Sequence, residues 1–398
     1  MLELDCGLDF DATRSEDFFS ALPPRPAVCL IELRESKAEP LLIRTQDLRR
    51  RLQRLLGAPD PASKRLNLRD AARAVCYRLT GSRFEQSVTY YQHARQQFPK
   101  RYKDLLRLRP AAVLKVSLRN PYPRCYVTRR VPFDDAGLPI TGAYYGPFSS
   151  RNSAEAFAEK ALDFFKVRRC QIKIRRDPAF PGCIYSEMKM CLAPCFAGCT
   201  KEEHDAEVQR LVQFLNSSGG SLRASLESER EQASEKLDYE QAAALHKKIE
   251  KLDDALRGRP ELPHRIEDLD AIILQRSAED QSIGVFVVRG GWLEEPFFLR
   301  FAEIASQPRS AEHIFRARLE SRGDTAANSA SQGHARQARG KDDLGEHLWL
   351  VSRWFYSSPR EGEILFREKD WPYRRILRAC SRLLAPREAA PDQSPSAR

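Results

Sequence analysis

The first long apolar run in the chain, Pro26-Ala27-Val28-Cys29-Leu30-Ile31-Glu32-Leu33, predicts a strand, and Glu39–Arg44 predicts its hairpin partner. Thr45 or Asp47 stands where a helix cap is needed. In the segment that follows, Leu48, Leu52, Leu55 and Leu56 recur on one helical face, and Gly57 closes it. Residues 1–20 are acidic and predict an ordered or half-ordered lead-in. Residues 110–150 alternate as three strands, AAVLKVSL, RCYVTRRV and TGAYYGPF, with turns at Asn120-Pro121 and Asp134–Gly137. Asn152 or Ser153 would cap a helix from Ala154 to Leu162, which Phe164 and Phe165 pack toward the next segment.

Farther along, Thr200-Lys201-Glu202-Glu203 has the form of a capping box, and Val208, Leu211, Val212 and Leu215 make the apolar stripe behind it. Ser217–Gly220 breaks that helix. A second helix runs from Ser221 to Leu237, turns at Asp238, and returns to Gly258 with Ala242, Leu245, Ile249 and Leu252 at helical spacing. A hairpin of two short helices buries little surface alone, so it packs either on its own chain or on a partner. Residues 267–303 predict paired strands, with a turn at Gly290-Gly291. Residues 321–343 are polar and read as a flexible linker. An apolar helix (HLWLVSRWFYSS), a short strand (EGEILF) and an amphipathic helix (PYRRILRACSRLL) follow, and the chain after Pro386 reads as a disordered tail.

Charge changes this picture. The 398 residues carry a net +11, which favours a polyanionic partner, although plain solubility explains a basic chain equally simply. Local density discriminates better: Arg95, Lys100, Arg101, Lys103, Arg107, Arg109, Lys115, Arg119, Arg124, Arg129 and Arg130 face only Asp104 within the same stretch. Such a run would neutralise several phosphates and bind DNA without reading sequence. Tyr122, Tyr126, Tyr144 and Tyr145 interleave with it, either to stack on unpaired bases or as strand core. No apolar run approaches the roughly 18 residues of a membrane span, and the first twenty residues lack a signal-peptide core, so a cytoplasmic location without membrane contact is expected.

Five of the ten cysteines fall in one stretch of thirty residues, where Cys170, Cys183, Cys191, Cys195 and Cys199 are separated by twelve, seven, three and three residues. With nothing to indicate an oxidising compartment, a thiolate metal site is a better expectation than disulfides. The paired CxxC knuckles of structural zinc are absent, and irregular spacing suits an iron–sulfur cluster better. Buried, inert cysteines are the alternative.

The words around these cysteines carry a resemblance. Arg169-Cys170, Pro181-Gly182-Cys183 and Cys191-Leu192-Ala193-Pro194-Cys195 resemble the cysteine segment of the UvrC family, the nuclease subunit of bacterial nucleotide excision repair. Val127–Arg130 and Tyr145–Phe148 resemble that family's VTRR and YFGPY words, and Leu237–Leu245 (LDYEQAAAL) resembles its UVR motif. The resemblance covers residues 20 to 300. It implies a 4Fe-4S cluster, with zinc as the alternative, on Cys170, Cys183, Cys191 and Cys195. It also implies a UvrB-binding hairpin contacting its partner through Leu237, Tyr239, Glu240, Ala243 and Leu245, on DNA or on a UvrA–UvrB–DNA complex.

The resemblance further implies an N-terminal GIY-YIG nuclease fold, whose chemistry needs tyrosines, an arginine and a metal-holding carboxylate. Aligned with the family's words, Cys29 and Leu41 replace the two tyrosines, Ile43 replaces a glycine, and Tyr90 stands at the carboxylate; only Arg51 matches. Pro99 keeps the register of the later helix. Glu85 is the nearest acid, but five residues before Tyr90 it belongs to another helix face. Without its carboxylate such a site has little to hold magnesium or manganese.

The expectation is an α+β chain. It comprises a degenerate GIY-YIG-like domain (1–105), a basic connector with the cysteine cluster (106–200), a UVR-like hairpin (201–258), a small β segment (259–320), a linker (321–343), C-terminal helices (344–386) and a tail (387–398). The expected function is a non-catalytic or weakly catalytic repair accessory. The alternatives are an active single-incision nuclease, or a zinc-stabilised nucleic-acid-binding module with no repair role. The family's RNase H-like half and helix-hairpin-helix repeats have no counterpart in the sequence.

Overall fold

The computed structural model describes residues 2–35, 37–59, 65–132, 141–258, 260–331 and 343–385. The turn expected at Asp134–Gly137, residues 332–342 of the expected linker, and the expected tail lie outside them. The architecture is α+β, built on three antiparallel sheets.

The first sheet holds β1 (Cys6–Asp9), β2 (Ala27–Leu33), β3 (Leu41–Thr45) and β4 (Ala72–Leu79) in the order β1-β4-β2-β3. The acidic lead-in is thus more than a lead-in: β1 forms an edge strand, and α1 (Ser15–Ala21) follows it. Asp47, not Thr45, caps α2 (Leu48–Leu56), accepting from the Arg50 amide at 2.9 Å. Ala27, Cys29 and Ile31 face the leucines of α2, while Val28, Leu30 and Leu42 face α3 (Arg83–Gln97) and α4 (Tyr102–Leu106). Because both faces are covered, the run AVCLI is continuously apolar instead of alternating.

The middle sheet comprises β5 (Ala112–Val116), β6 (Cys125–Thr128), β7 (Ala143–Phe148) and β8 (His264–Arg265), ordered β6-β5-β7-β8. On one face lies α5 (Arg151–Leu162). Its cap is Ser150, earlier than either expected residue: Ser150 Oγ accepts from the Ser153 amide at 3.1 Å, and Ser153 Oγ returns to the Ser150 amide. A coil containing α6 (Ile184–Glu187) leads to α7 (Lys201–Asn216), with the capping box on Thr200 and Glu203. The hairpin α8 (Gly220–Glu235) and α9 (Tyr239–Leu256) follows, and β8 then brings the chain back to β7.

The third sheet takes β9 (Ala271–Arg276), β10 (Ser282–Arg289), β11 (Trp292–Leu293), β12 (Phe297–Arg300) and β13 (Glu363–Phe366). Its order is β11-β10-β9-β13, with β12 also on β10. Helices α10 (Phe301–Ala305), α11 (Ala311–Ser331), α12 (Asp343–Phe355) and α13 (Tyr373–Leu384) complete the chain. Two expectations change here. Helix α11 continues through Ser331, into the stretch whose polarity suggested a linker. The C-terminal segment is not separate from the β segment either, because β13 pairs with β9 and α13 packs beneath β9 and β10.

Helix α12 joins all three sheets. Leu344, Leu348, Val351 and Trp354 share a core with Phe84, Val113, Tyr144, Ile273 and Phe286. On its other side Glu346, 2% exposed, accepts from the hydroxyls of Tyr91 and Tyr102, each at 2.7 Å, and pairs with Lys103 at 3.2 Å. Beside it Asp343 pairs with Arg95 at 2.8 Å. Among the described residues no helix is long and apolar enough to cross a membrane. Removing a buried charge's counterpart strands its partners, so Glu346→Ala is expected to lower stability by about 3 kcal/mol. A denaturant melt checks this, with Glu346→Gln losing less because its amide oxygen still accepts one tyrosine.

Candidate functional site

The cysteine stretch is mostly coil, held at its ends rather than by regular pairing. Leu192 N–H donates to Lys166 O at 3.0 Å and Asp177 N–H to Cys195 O at 2.9 Å. Ala193 and Ala197 take left-handed backbone on either side of Cys195. All ten cysteines are free. The charges felt by the Cys191 thiol, which burial pushes up to about 11, are those of Cys170, Cys195 and Cys183. Cys199 has its thiol raised by burial and then by Glu203, and it also feels Cys195. Two sulfurs already receive donors: the Ala193 amide reaches Cys191 Sγ at 3.2 Å, and Arg168 Nη1 reaches Cys170 Sγ at 3.7 Å. Soft thiolates with N–H donors on sulfur are the donor chemistry of a cluster or zinc. Among the described residues no three His, Cys, Asp or Glu side chains converge on a metal position.

Two residues beside this loop escaped sequence reasoning. Arg168 is buried and donates to the carbonyls of Tyr122, at 2.8 Å, and Ile172, at 3.0 Å, pinning the start of the cysteine loop to the middle sheet. His204 is fully buried against the Tyr122 ring, and burial lowers its pKa. One arginine among many, and one histidine on a helix, give no sequence signal that they will be interior.

The basic run divides. Arg95 is a correction: its guanidinium is bound to Asp343 and Tyr91 and is not offered to a ligand. Lys103 turns to Glu346. Lys115 reaches Thr141 at 2.7 Å between the rings of Tyr126 and Tyr144, and Arg124 lies over Tyr126 at 4.3 Å. Arg101 meets Glu39 in an exposed pair that restrains it little. Lys100, Arg107, Arg109, Arg119, Arg129 and Arg130 are exposed and have no acidic partner among the described residues. Tyr144 and Tyr145 are buried strand core, leaving Tyr122 and Tyr126 half-exposed.

The residues at the nuclease positions do not meet. Cys29 pairs with Ile43 and Ile31 with Leu41 across β2 and β3, on the face covered by α2, where Arg51 lies near Cys29. Tyr90 is on the opposite face, beneath the Arg44 guanidinium at 5.6 Å. Glu85 is 1% exposed and accepts from the Gly81 amide at 2.9 Å, with Arg78 Nε at 3.6 Å, away from Arg51.

The hairpin buries Leu222, Leu226 and Ala233 against Leu245, Ile249 and Leu252. Leu245, 4% exposed, is hairpin core and not partner surface, correcting the expectation for it. Leu237 and Tyr239 are each 68% exposed at the tip, with Glu240 and Ala243 exposed behind them.

Residues 111–214 match the family described as UvrC/Cho excinuclease, middle domain, and residues 221–255 match the UvrB/uvrC motif. The chain is related to UvrC. UvrABC system protein C of Ruminiclostridium cellulolyticum is 32% identical over 179 residues, covering 45% of this chain and 28% of that protein. Its namesake from Nitratidesulfovibrio vulgaris is 31% identical over 198 residues (48% and 27%), and that of Trichlorobacter lovleyi is 25% identical over 278 residues (70% and 44%). The chain thus spans less than half the length of the curated UvrC relatives it matches. No solved structure matches it. The two family models cover β5 to β7, the cysteine loop and the hairpin, and the 278 residues aligned with the Trichlorobacter lovleyi protein extend beyond them.

Burial pushes Glu85 up to about 7 from 4.5, against the opposing pull of the Gly81 amide and Arg78. The folded chain then holds this proton where the unfolded chain has released it, so stability falls as pH rises from about 4.5 to about 7 and levels above. Glu85→Gln is expected to flatten that window, removing a loss of about 3 kcal/mol between pH 4 and pH 8. Denaturant melts across the range measure it.

Proposed function

We propose that this chain serves nucleotide excision repair as a DNA-binding relative of UvrC that docks on UvrB and does not itself cut. One observation carries the reading: the stretch that matches the UvrB/uvrC motif ends in a tip where Leu237 and Tyr239 stand uncovered. Exposed leucine and tyrosine at the end of a rigid hairpin are the anchors a protein partner would bury. The six open cations between Lys100 and Arg130 supply phosphate contacts on the adjoining middle sheet. Catalysis is disfavoured because the GIY-YIG-like positions hold Cys29, Leu41 and Tyr90, on two sides of a sheet, and among the described residues no carboxylate pairs with Arg51. Magnesium or manganese enters only if cutting survives.

An incision assay tests this with UvrA, UvrB, ATP, a divalent metal and a lesion-bearing duplex. The expected outcome is no nicking above the Arg51→Ala control, with association to the UvrB–DNA complex retained. The Leu237→Ala, Tyr239→Ala double variant is expected to lose about 2 kcal/mol or more of UvrB binding at unchanged melting temperature. Nicking that disappears in Arg51→Ala would make the chain an active single-incision nuclease. Undiminished UvrB binding by the tip variant would end the docking assignment.

The clustering of the cysteines in one loop, with Cys191 near Cys170, Cys183 and Cys195, supports a 4Fe-4S cluster on these four residues, with zinc the alternative. Either centre would cross-link a segment with little regular structure. Protein purified anaerobically is expected to carry metal that Cys191→Ser lacks and Cys199→Ser keeps. Iron with labile sulfide identifies the cluster, and stoichiometric zinc identifies the alternative. A metal-free wild type would return these residues to plain buried thiols.

A further inference from the structure

Between the end of β3, the first two turns of α3 and the far half of α12 lies a cavity of about 440 Å³, within the range of small-ligand sites. Its charged lining is Arg44, Arg83 and Arg353, and no carboxylate lines it. Arg83 is occupied by Glu361, which takes its backbone amide at 2.9 Å and lies 3.7 Å from its guanidinium. Arg44 and Arg353 are different. Neither has a carboxylate or a hydrogen-bond acceptor for its guanidinium among the described residues. Each is held by a ring: Arg44 over Tyr90 at 5.6 Å and Arg353 over Trp349 at 5.3 Å.

A ring steadies a guanidinium without neutralising it, so the donor edge stays free. Burial, and then the charge of Arg44, push the Arg353 pKa below its ordinary value. The two cations therefore oppose each other across a shared space, an arrangement that costs stability unless an anion lies between them. The buried Gln86 carboxamide is fixed by donating to Thr45 O at 2.8 Å and Ala27 O at 3.2 Å, and Gln46 reaches its oxygen at 3.4 Å.

We propose that this cavity is a phosphate-ester site, in which Arg44 and Arg353 clamp a phosphate of a nucleotide, either free or within a nucleic-acid strand. Two planar donor forks match phosphate oxygens better than two ammonium groups would. The lining lies outside residues 111–214 and 221–255, the stretches that match the family models, and the proposal does not rest on the repair reading.

The test uses the full chain with two probes, ADP and a fluorescein-labelled fifteen-nucleotide single strand, and the variants Arg44→Gln and Arg353→Gln. Each variant is expected to weaken the bound probe at least tenfold, and Arg353→Lys, which keeps charge but loses the fork, to fall between. For the strand, the slope of log affinity against log salt is expected to drop by about one per arginine removed. ADP binding identifies a free nucleotide as the source, and strand binding without ADP binding identifies nucleic acid. Because like charges are relieved, neither glutamine variant is expected to melt below the wild type, which separates lost binding from lost fold. The proposal fails if the wild type binds neither probe, or if both glutamine variants bind as the wild type does.

Discussion

A carboxylate cannot sit in a protein interior without partners, and Glu346 is almost wholly interior. Its two oxygens are met by the Tyr91 and Tyr102 hydroxyls and by Lys103, from α3 and α4. Burial and the bond to Glu346 push the Tyr102 hydroxyl up to about 12, so it remains a donor throughout the physiological range. Arg95 and Asp343 extend the network by one pair. A half-satisfied set of such groups would be worse than none, which fixes the rotation and height of α12 on α3 and α4 more narrowly than leucine packing would.

Much of the remaining structure follows from that placement. With α12 fixed, its apolar face lands on the third sheet and on Tyr144 of the middle sheet, merging segments that look independent in the sequence. Ser352 and Tyr356 then hydrogen-bond to the carbonyls of Phe148 and Pro147 in β7, both at 3.2 Å. The UvrC-related middle sheet is thereby bound to a C-terminal module that lies outside the matched families. The hairpin hangs from the other side of that sheet, where α5 and α7 cover it, so its tip is free of the α12 junction.

Elements with local causes could be read from the sequence. The hairpin follows from its leucine spacing and the Asp238 cap, α7 from its capping box, and the C-terminal helix–strand–helix from its periodicity. Long-range pairing was hidden. Strand β1 is short and acidic-flanked, and β4, with Arg73 and Arg78 in it, carries too many charges to announce a strand; β4 forms on the edge of β2, and β1 on the edge of β4. The candidate site shows the same division. Cysteine spacing places the five thiols on one loop, because clustering in sequence limits how far apart they can lie. The fate of Arg95 depended on Asp343, far away in the chain, at which the residue itself does not hint, whereas Leu245 already stood on the apolar stripe that packs on the first helix of the hairpin.

Strand parity explains why the first sheet lacks a nuclease-like constellation and yet bears a cationic cavity. Successive residues of β3 point to opposite faces, so Ile43 and Arg44 cannot serve one site. Ile43, across from Cys29, joins the apolar layer under α2, the face on which Arg51 lies near Cys29. Arg44, across from Val28, emerges on the α3 face, where Tyr90 has taken the place in which the family resemblance expects a carboxylate. A glutamate at that position would neutralise Arg44. A tyrosine holds the cation while leaving its charge uncompensated.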